Sequence, residues 1–198
     1  MENADYKALA YVGGRRCLDF VATCRKRYSQ PVELLADAGS LLTWLREAGF
    51  ETRQNADVTC SAEDLQEAIR LREAIYRLVR ASTEGQAFAQ EDADVVNAFA
   101  RLPNLAPQLT AESECMGDLQ NPCKLGWAAD AFVPAALSTI ARDAVTLLSS
   151  PLIARVKSCA NPKCSMLFLD DSQGLRRKWC SMSRCGNLSK LATYRSRQ

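Results

Sequence analysis

The sequence predicts an α+β protein: a mostly helical body with short antiparallel strands over 1–150, then a compact four-cysteine unit over 151–198. Three observations predict it. Apolar residues recur at helical spacing in four stretches of the first 150 residues, with turn signals between them. Of nine cysteines, five are scattered (Cys17, Cys24, Cys60, Cys115, Cys123), while Cys159, Cys164, Cys180 and Cys185 crowd together near the end. Charge divides at the same place. Residues 151–198 carry a net +8 and residues 1–150 a net −6, although the chain totals only +2.

Taken in order, Ala8–Val12 and Arg16–Ala22 flank Gly13-Gly14 and read as a short hairpin. Asp19, inside that second apolar run, reads as a hydrogen-bonded structural carboxylate in a strand. The basic run Arg25-Lys26-Arg27-Tyr28 reads as a solvated strand end or loop. Leu41, Leu42, Leu45 and Ala48 form a helical stripe, with Ser40 as its N-cap and Gly49 past its end. A longer helix covers about 62–82. Ser61 stands three residues before Asp64, and Leu65, Ala68, Ile69, Ile75, Tyr76, Leu78 and Val79 form the stripe. Another helix covers 90–101, and a second small hairpin falls within 104–127. The last body helix starts near Pro134 and stops at Ser149-Ser150-Pro151. The five scattered cysteines read as small buried hydrophobes.

Several functions are excluded or left without support. The chain has no histidine, so a Ser-His-Asp or Cys-His catalytic pair and a His-ligated metal are impossible. No glycine-rich phosphate loop of either common form occurs. No apolar stretch approaches the roughly 18 residues of a membrane span, so no membrane partner is expected. The start of the chain lacks a basic segment followed by an apolar run. The cytoplasm is therefore the expected compartment, where clustered thiols stay reduced and bind metal.

The tail spacing is C-x4-C-x15-C-x4-C. Four thiolates at about 2.3 Å make a closed tetrahedral zinc site, and each close pair can grip one edge of it. Asn161-Pro162 favours the tight turn that aims the first pair. Met166–Leu169 reads as a strand, Asp170–Gly174 as a turn and Lys178-Trp179 as the return strand. A short basic helix should follow, with Leu188, Leu191 and Tyr194 facing in. This describes a treble-clef-like finger. An iron–sulfur cluster would also accept four cysteines, but zinc suits an ordered hairpin insert better. A tail with few large apolar residues cannot make a self-sufficient core, and one structural zinc supplies of order 10 kcal/mol in small fingers.

These residues carry a resemblance. Cys159-x4-Cys164-x3-Phe168-x-Asp170, then Ser172-x4-Arg177-x-Trp179-Cys180-Ser181-Met182-x2-Cys185-Gly186-Asn187, resembles the CGNR zinc finger. In that family the finger follows an ABATE domain, and Gly13-Gly14-x2-Cys17-Leu18-Asp19-Phe20-Val21-Ala22-Thr23 resembles the opening of that domain. Leu188 stands where the family signature has Arg, and Ala22 where the opening commonly has Asn. The resemblance implies a stress-induced transcription regulator of bacteria.

The expected function is therefore a zinc-containing, DNA-binding regulator with no enzymatic activity. Arg176, Arg177, Lys178, Arg184, Lys190, Arg195 and Arg197 are the candidate phosphate contacts. Trp179 packs the hairpin, and the acidic body takes a small-molecule or protein effector. The alternative is a protein-interaction module in which the zinc finger is purely structural.

Overall fold

The computed structural model describes residues 10–50, 58–111 and 123–195. Its body runs α1 (Arg16–Val21), β1 (Cys24–Arg25), β2 (Val32–Glu33), α2 (Ala38–Glu47), α3 (Ala62–Glu84), α4 (Gln90–Arg101), β3 (Ala106–Ala111), β4 (Cys123–Ala128) and α5 (Phe132–Leu148). A 3-10 turn (Pro151–Arg155) leads to β5 (Val156–Ser158) and β6 (Leu167–Leu169). A π turn (Met182–Gly186) and α6 (Asn187–Arg195) complete the chain. The strands pair as three separate antiparallel ribbons, β1–β2, β3–β4 and β5–β6.

The helices arise where apolar period and caps agree. At the start of α3 the Ser61 Oγ accepts from the Asp64 amide at 3.0 Å, and the Asp64 carboxylate accepts from the Ser61 amide at 2.8 Å. The stripe of α3 buries Leu65, Ala68, Leu71, Ala74, Ile75, Leu78 and Val79. It packs on α1, α4 and α5. Ile69 and Tyr76 lie at the margin of the core, half covered. Pro134 falls in the first turn of α5, as its fixed φ allows, and α5 is buried on most sides. The second hairpin is β3–β4, paired from Ala106↔Ala128 to Ala111↔Cys123. Its base is tied down by Trp127, whose indole donates to the Gly49 carbonyl at 2.8 Å.

Three local expectations are corrected. The segment Arg16–Val21 is a helix, not a strand. Gly14 turns the chain at φ +77°, and the Leu18 and Asp19 amides then donate back to the Arg15 carbonyl. Cys17, Leu18, Phe20 and Val21 are all buried because α1 is covered by both α3 and α5. Such a short apolar run has no period to tell strand from helix. Ser40 is not the N-cap of α2. That position belongs to Asp37, which accepts from the Ser40 amide at 2.7 Å, while the Ser40 hydroxyl accepts from the Asp37 amide. Finally, Leu167–Leu169 pairs with Val156–Ser158 and not with Lys178-Trp179. The carbonyl of residue 178 accepts from the Ala160 amide just past the end of β5.

The finger leans on the body along one seam. Val156 and Leu167 sit in the body's apolar cluster, and Ala22 of the body sits among the four cysteines. The Leu169 amide donates to the Gly13 carbonyl at 2.8 Å. The Arg27 amide donates to Ser165 Oγ at 3.3 Å.

Candidate metal centre and basic surface

The first cysteine pair occupies the turn between β5 and β6. The Cys159 amide donates to the Met166 carbonyl and the Cys164 amide to the Asn161 carbonyl, which closes a tight knuckle. The second pair is set by the π turn, which carries Cys185 at its end, buried beside Gly186. A Cβ on Gly186 would lie 2.6 Å from Met182 Sδ and 3.3 Å from Trp179 Cδ1. Glycine there lets the turn close against Met182 and Trp179.

These devices bring all four sulfurs within 4.8 Å of one another, each residue buried. The Cys164–Cys180 and Cys180–Cys185 sulfur separations are 3.9 and 3.6 Å. A tetrahedron with zinc–sulfur bonds of about 2.3 Å has edges of about 3.8 Å, so the cluster has the dimensions of a tetrathiolate zinc site. The cysteines are unbridged. Hydrogen bonding among the four sulfurs pulls them in opposite directions, Cys159 and Cys185 below the ordinary thiol value and Cys164 and Cys180 above it. The donor set, four soft thiolates with every position filled by protein, suits one structural zinc and leaves no place for a reacting water. Two further donors point at the sulfurs: the Cys180 amide at Cys159 and the Asn161 side-chain amide at Cys185, each at 3.5 Å.

The loop from Asp170 to Trp179 is held by a polar network. The Asp170 carboxylate is fully buried and accepts from Lys157 Nζ at 2.6 Å, the Ser172 amide at 3.0 Å and hydroxyl at 2.5 Å, and the Arg177 amide at 3.0 Å. Burial works to raise its pKa, but the bonds from Lys157 and Ser172 outweigh it and hold the group below the usual carboxylate range. Arg177 lies with its guanidinium 4.3 Å over the Phe168 ring. It donates to the carbonyls of Val12 at 2.9 Å, Trp179 at 3.1 Å, Cys180 at 2.5 Å and Leu169 at 3.4 Å. Phe168, Asp170, Ser172 and Arg177, which recur in the sequence motif, thus brace the loop behind the cysteines.

The seven predicted phosphate contacts fall into different settings. Arg176 and Lys178 are exposed, and their side chains have no ion-pair or hydrogen-bond partner among the described residues. Arg177, between them, spends its donors on backbone carbonyls. Its guanidinium acts as a strut of the loop. Arg184 is half-buried and lines a small recess with Cys164, Cys180, Cys185 and Leu188. Lys190 is exposed on α6. The Arg195 side chain and all of Arg197 lie outside the described residues. Leu191, expected to face in, is 53% exposed, and the Tyr194 side chain lies outside the described residues.

Two parts of the site were not visible in the sequence. Arg25, expected as part of a solvated end, is buried in the recess beside Cys164, Cys180 and Cys185. Its Nε donates to the Ala22 carbonyl at 3.2 Å, which places a body cation beside the thiolates. Arg27 is likewise engaged, bridging to Glu73 and stacking 4.1 Å from the Tyr76 ring centre. Asp19 has the structural role expected of it, in a helix: it accepts from the Gly13 amide at 2.8 Å and so fixes the loop that meets the finger. Of the scattered cysteines, Cys17 is buried and Cys24 and Cys60 are half-buried. Cys115 lies outside the described residues, as does the side chain of Cys123.

Among the described residues no helix is long and apolar enough to cross a membrane. No curated protein matches the chain. Residues 155–198 match the CGNR zinc finger family, in accord with the cysteine geometry and one structural zinc. Residues 14–151 match the ABATE family, described as "putative stress-induced transcription regulator". The chain belongs to the ABATE family and ends in a CGNR zinc finger.

Proposed function

We propose that this protein is a cytoplasmic, bacterial DNA-binding transcription regulator without enzymatic activity. Its finger, held by zinc on Cys159, Cys164, Cys180 and Cys185, contacts the phosphate backbone. The observation that carries the reading is the setting of Arg176 and Lys178. Both are exposed cations on a loop locked from behind by Asp170 and Arg177. A braced loop presenting unpaired cations suits phosphate, because the backbone is already fixed and only the side chains remain to be ordered on binding. Lys190 on α6 adds to the same charge, and Arg184, Arg195 and Arg197 complete the basic tail. The acidic ABATE body would take the effector, a small molecule or a protein. Residues 1–150 and 151–198 act as the two working units of this scheme.

The test is a titration of the zinc-loaded full chain with duplex DNA at several salt concentrations. Log affinity should fall linearly with log salt, by about 0.9 per phosphate neutralised. Lys178→Ala should weaken binding on every sequence and make the slope shallower by about one. Arg46→Ala, an exposed change on α2, should do neither. If no salt-dependent binding is found, the finger is a protein-docking module instead.

A further inference from the structure

The exposed cations of the finger do not face open solvent alone. Between the last turns of α3 and the finger lies a cleft of about 630 Å³, to which α3 contributes Arg80 and Glu84 and the finger contributes Lys157, Arg176, Arg177 and Lys178. A second recess of about 370 Å³ opens beyond it toward Trp179 and Met182. The two share Arg176, Arg177 and Lys178 in their linings. Five cationic side chains line the larger cleft against one carboxylate.

The cations differ in what they can give. Lys157 is committed to Asp170 and to the Leu175 carbonyl, each at 2.6 Å, and Arg177 is committed to the backbone. Arg176 and Lys178 have no such commitment among the described residues. Arg80 stands between these cases. It pairs with Glu84 one turn along α3 and donates to Ser158 Oγ at 3.2 Å across the cleft. Both members of the Arg80–Glu84 pair are partly open to water, and such pairs contribute little. A phosphate can therefore compete with Glu84 for Arg80, while Ser158 Oγ and the Tyr28 ring, its centre 5.6 Å away, keep the guanidinium at the cleft. Glu84 and the carbonyl end of α3 both repel an anion, which favours seating it toward the finger side.

Resting on the DNA-binding reading above, we infer that the nucleic-acid site is built by both parts of the chain. One sugar-phosphate strand lies in the larger cleft, its phosphates held by Arg176 and Lys178 from the finger and by Arg80 from α3, and Glu84 opposes it. Three cations supplied from two parts of the chain match a polyanion better than a single phosphate group. The body thus contributes a contact of its own to the bound strand.

Two variants of one ion pair give the test, because they break the same pair from opposite sides. In the zinc-loaded full chain, Arg80→Gln should weaken duplex binding roughly threefold to tenfold at moderate salt and make the salt slope shallower by about one. Glu84→Gln should tighten binding by a few-fold. If the pair matters only for folding, both changes act in the same direction, and that result overturns the inference. Ser158→Ala removes the cross-cleft hydrogen bond without changing charge and should leave the slope unaltered; a change equal to that of Arg80→Gln would assign the Arg80 effect to docking and overturn the inference. If the wild type and Arg176→Ala behave as the DNA reading expects while Arg80→Gln and Glu84→Gln match the wild type, the inference falls and the DNA reading stands. Absence of wild-type binding overturns both.

Discussion

The body and the finger are organised by different kinds of force. Among the described residues the main apolar cluster gathers 30 buried side chains, drawn mostly from α1, α2, α3 and α5. The cluster around the metal centre gathers seven, and four of those are the cysteines themselves. Stability in the body is thus spread over many contacts of comparable weight, each large side chain contributing about 1.5–3 kcal/mol by burial. The finger has too few such contacts. It depends on one ion, and on a polar network in which Asp170 and Arg177 each serve several partners. The contrast teaches that damage to the body should be graded, while loss of a single metal ligand should undo the whole finger.

The largest expected effect breaks the finger alone. Cys180→Ser should abolish zinc retention, measured as metal per chain. It should unfold the finger, because it forfeits a binding term of order 10 kcal/mol. Helical circular dichroism should largely survive, since α1 to α5 carry their own core. The matching change in the body is Leu71→Ala, at a fully buried site in α3. It should lower unfolding stability by about 3 kcal/mol and leave the zinc content unchanged. Next comes Arg177→Ala, which strands four carbonyls and should cost the finger about 2–3 kcal/mol, read as faster zinc loss to a chelator. Arg176→Ala, one residue away, should leave that rate unaltered, and this difference separates strut from contact.

The smallest effect uses two aspartates, half-buried Asp19 in the body and buried Asp170 in the finger. Burial pushes Asp19 up to about 6, although the Gly13 and Val12 amides act the other way. The unfolded chain loses this proton nearer pH 4, so between about pH 4 and 6 the folded state binds more protons, and stability falls as pH rises. Asp19→Asn keeps an acceptor for the Gly13 amide. It should flatten that dependence and raise stability at neutral pH by about 2 kcal/mol, measured by denaturant titration across pH. Asp170 has the opposite sign. Its contribution is present at neutral pH and is lost as pH falls through the carboxylate range, so acid should loosen the finger while it relieves Asp19.

How much of this was legible in the sequence follows the same division. The helices α3, α4 and α5 have apolar period, caps or Pro punctuation, and these local signals survive folding. The metal centre was legible because cysteine spacing is itself the constraint. The α1 helix was not, because Cys17, Leu18, Phe20 and Val21 are covered from two sides and lose the alternation that distinguishes elements. The pairing of β6 with β5 was hidden because it is set by the knuckle that the cysteines close. Arg25 and Arg177 were read as solvated or phosphate-facing, since a basic run carries no mark of whether a carbonyl, a ring or water will meet it. The composition of the tail gave its charge, and only the fold divides that charge into braces and exposed cations.

The seam between Gly13 and the finger has a consequence for the order of events during synthesis. Arg177 reaches the Val12 carbonyl across 165 positions of chain. The loop at residue 13 leaves the ribosome early and must wait, its carbonyls hydrated, until the last quarter of the polypeptide has emerged. Helices α2 to α5 can collapse in that interval, but this closure cannot precede translation of the cysteine segment. A ribosome stalled before residue 177 would therefore display a body with one open groove where the finger belongs, a natural foothold for chaperones.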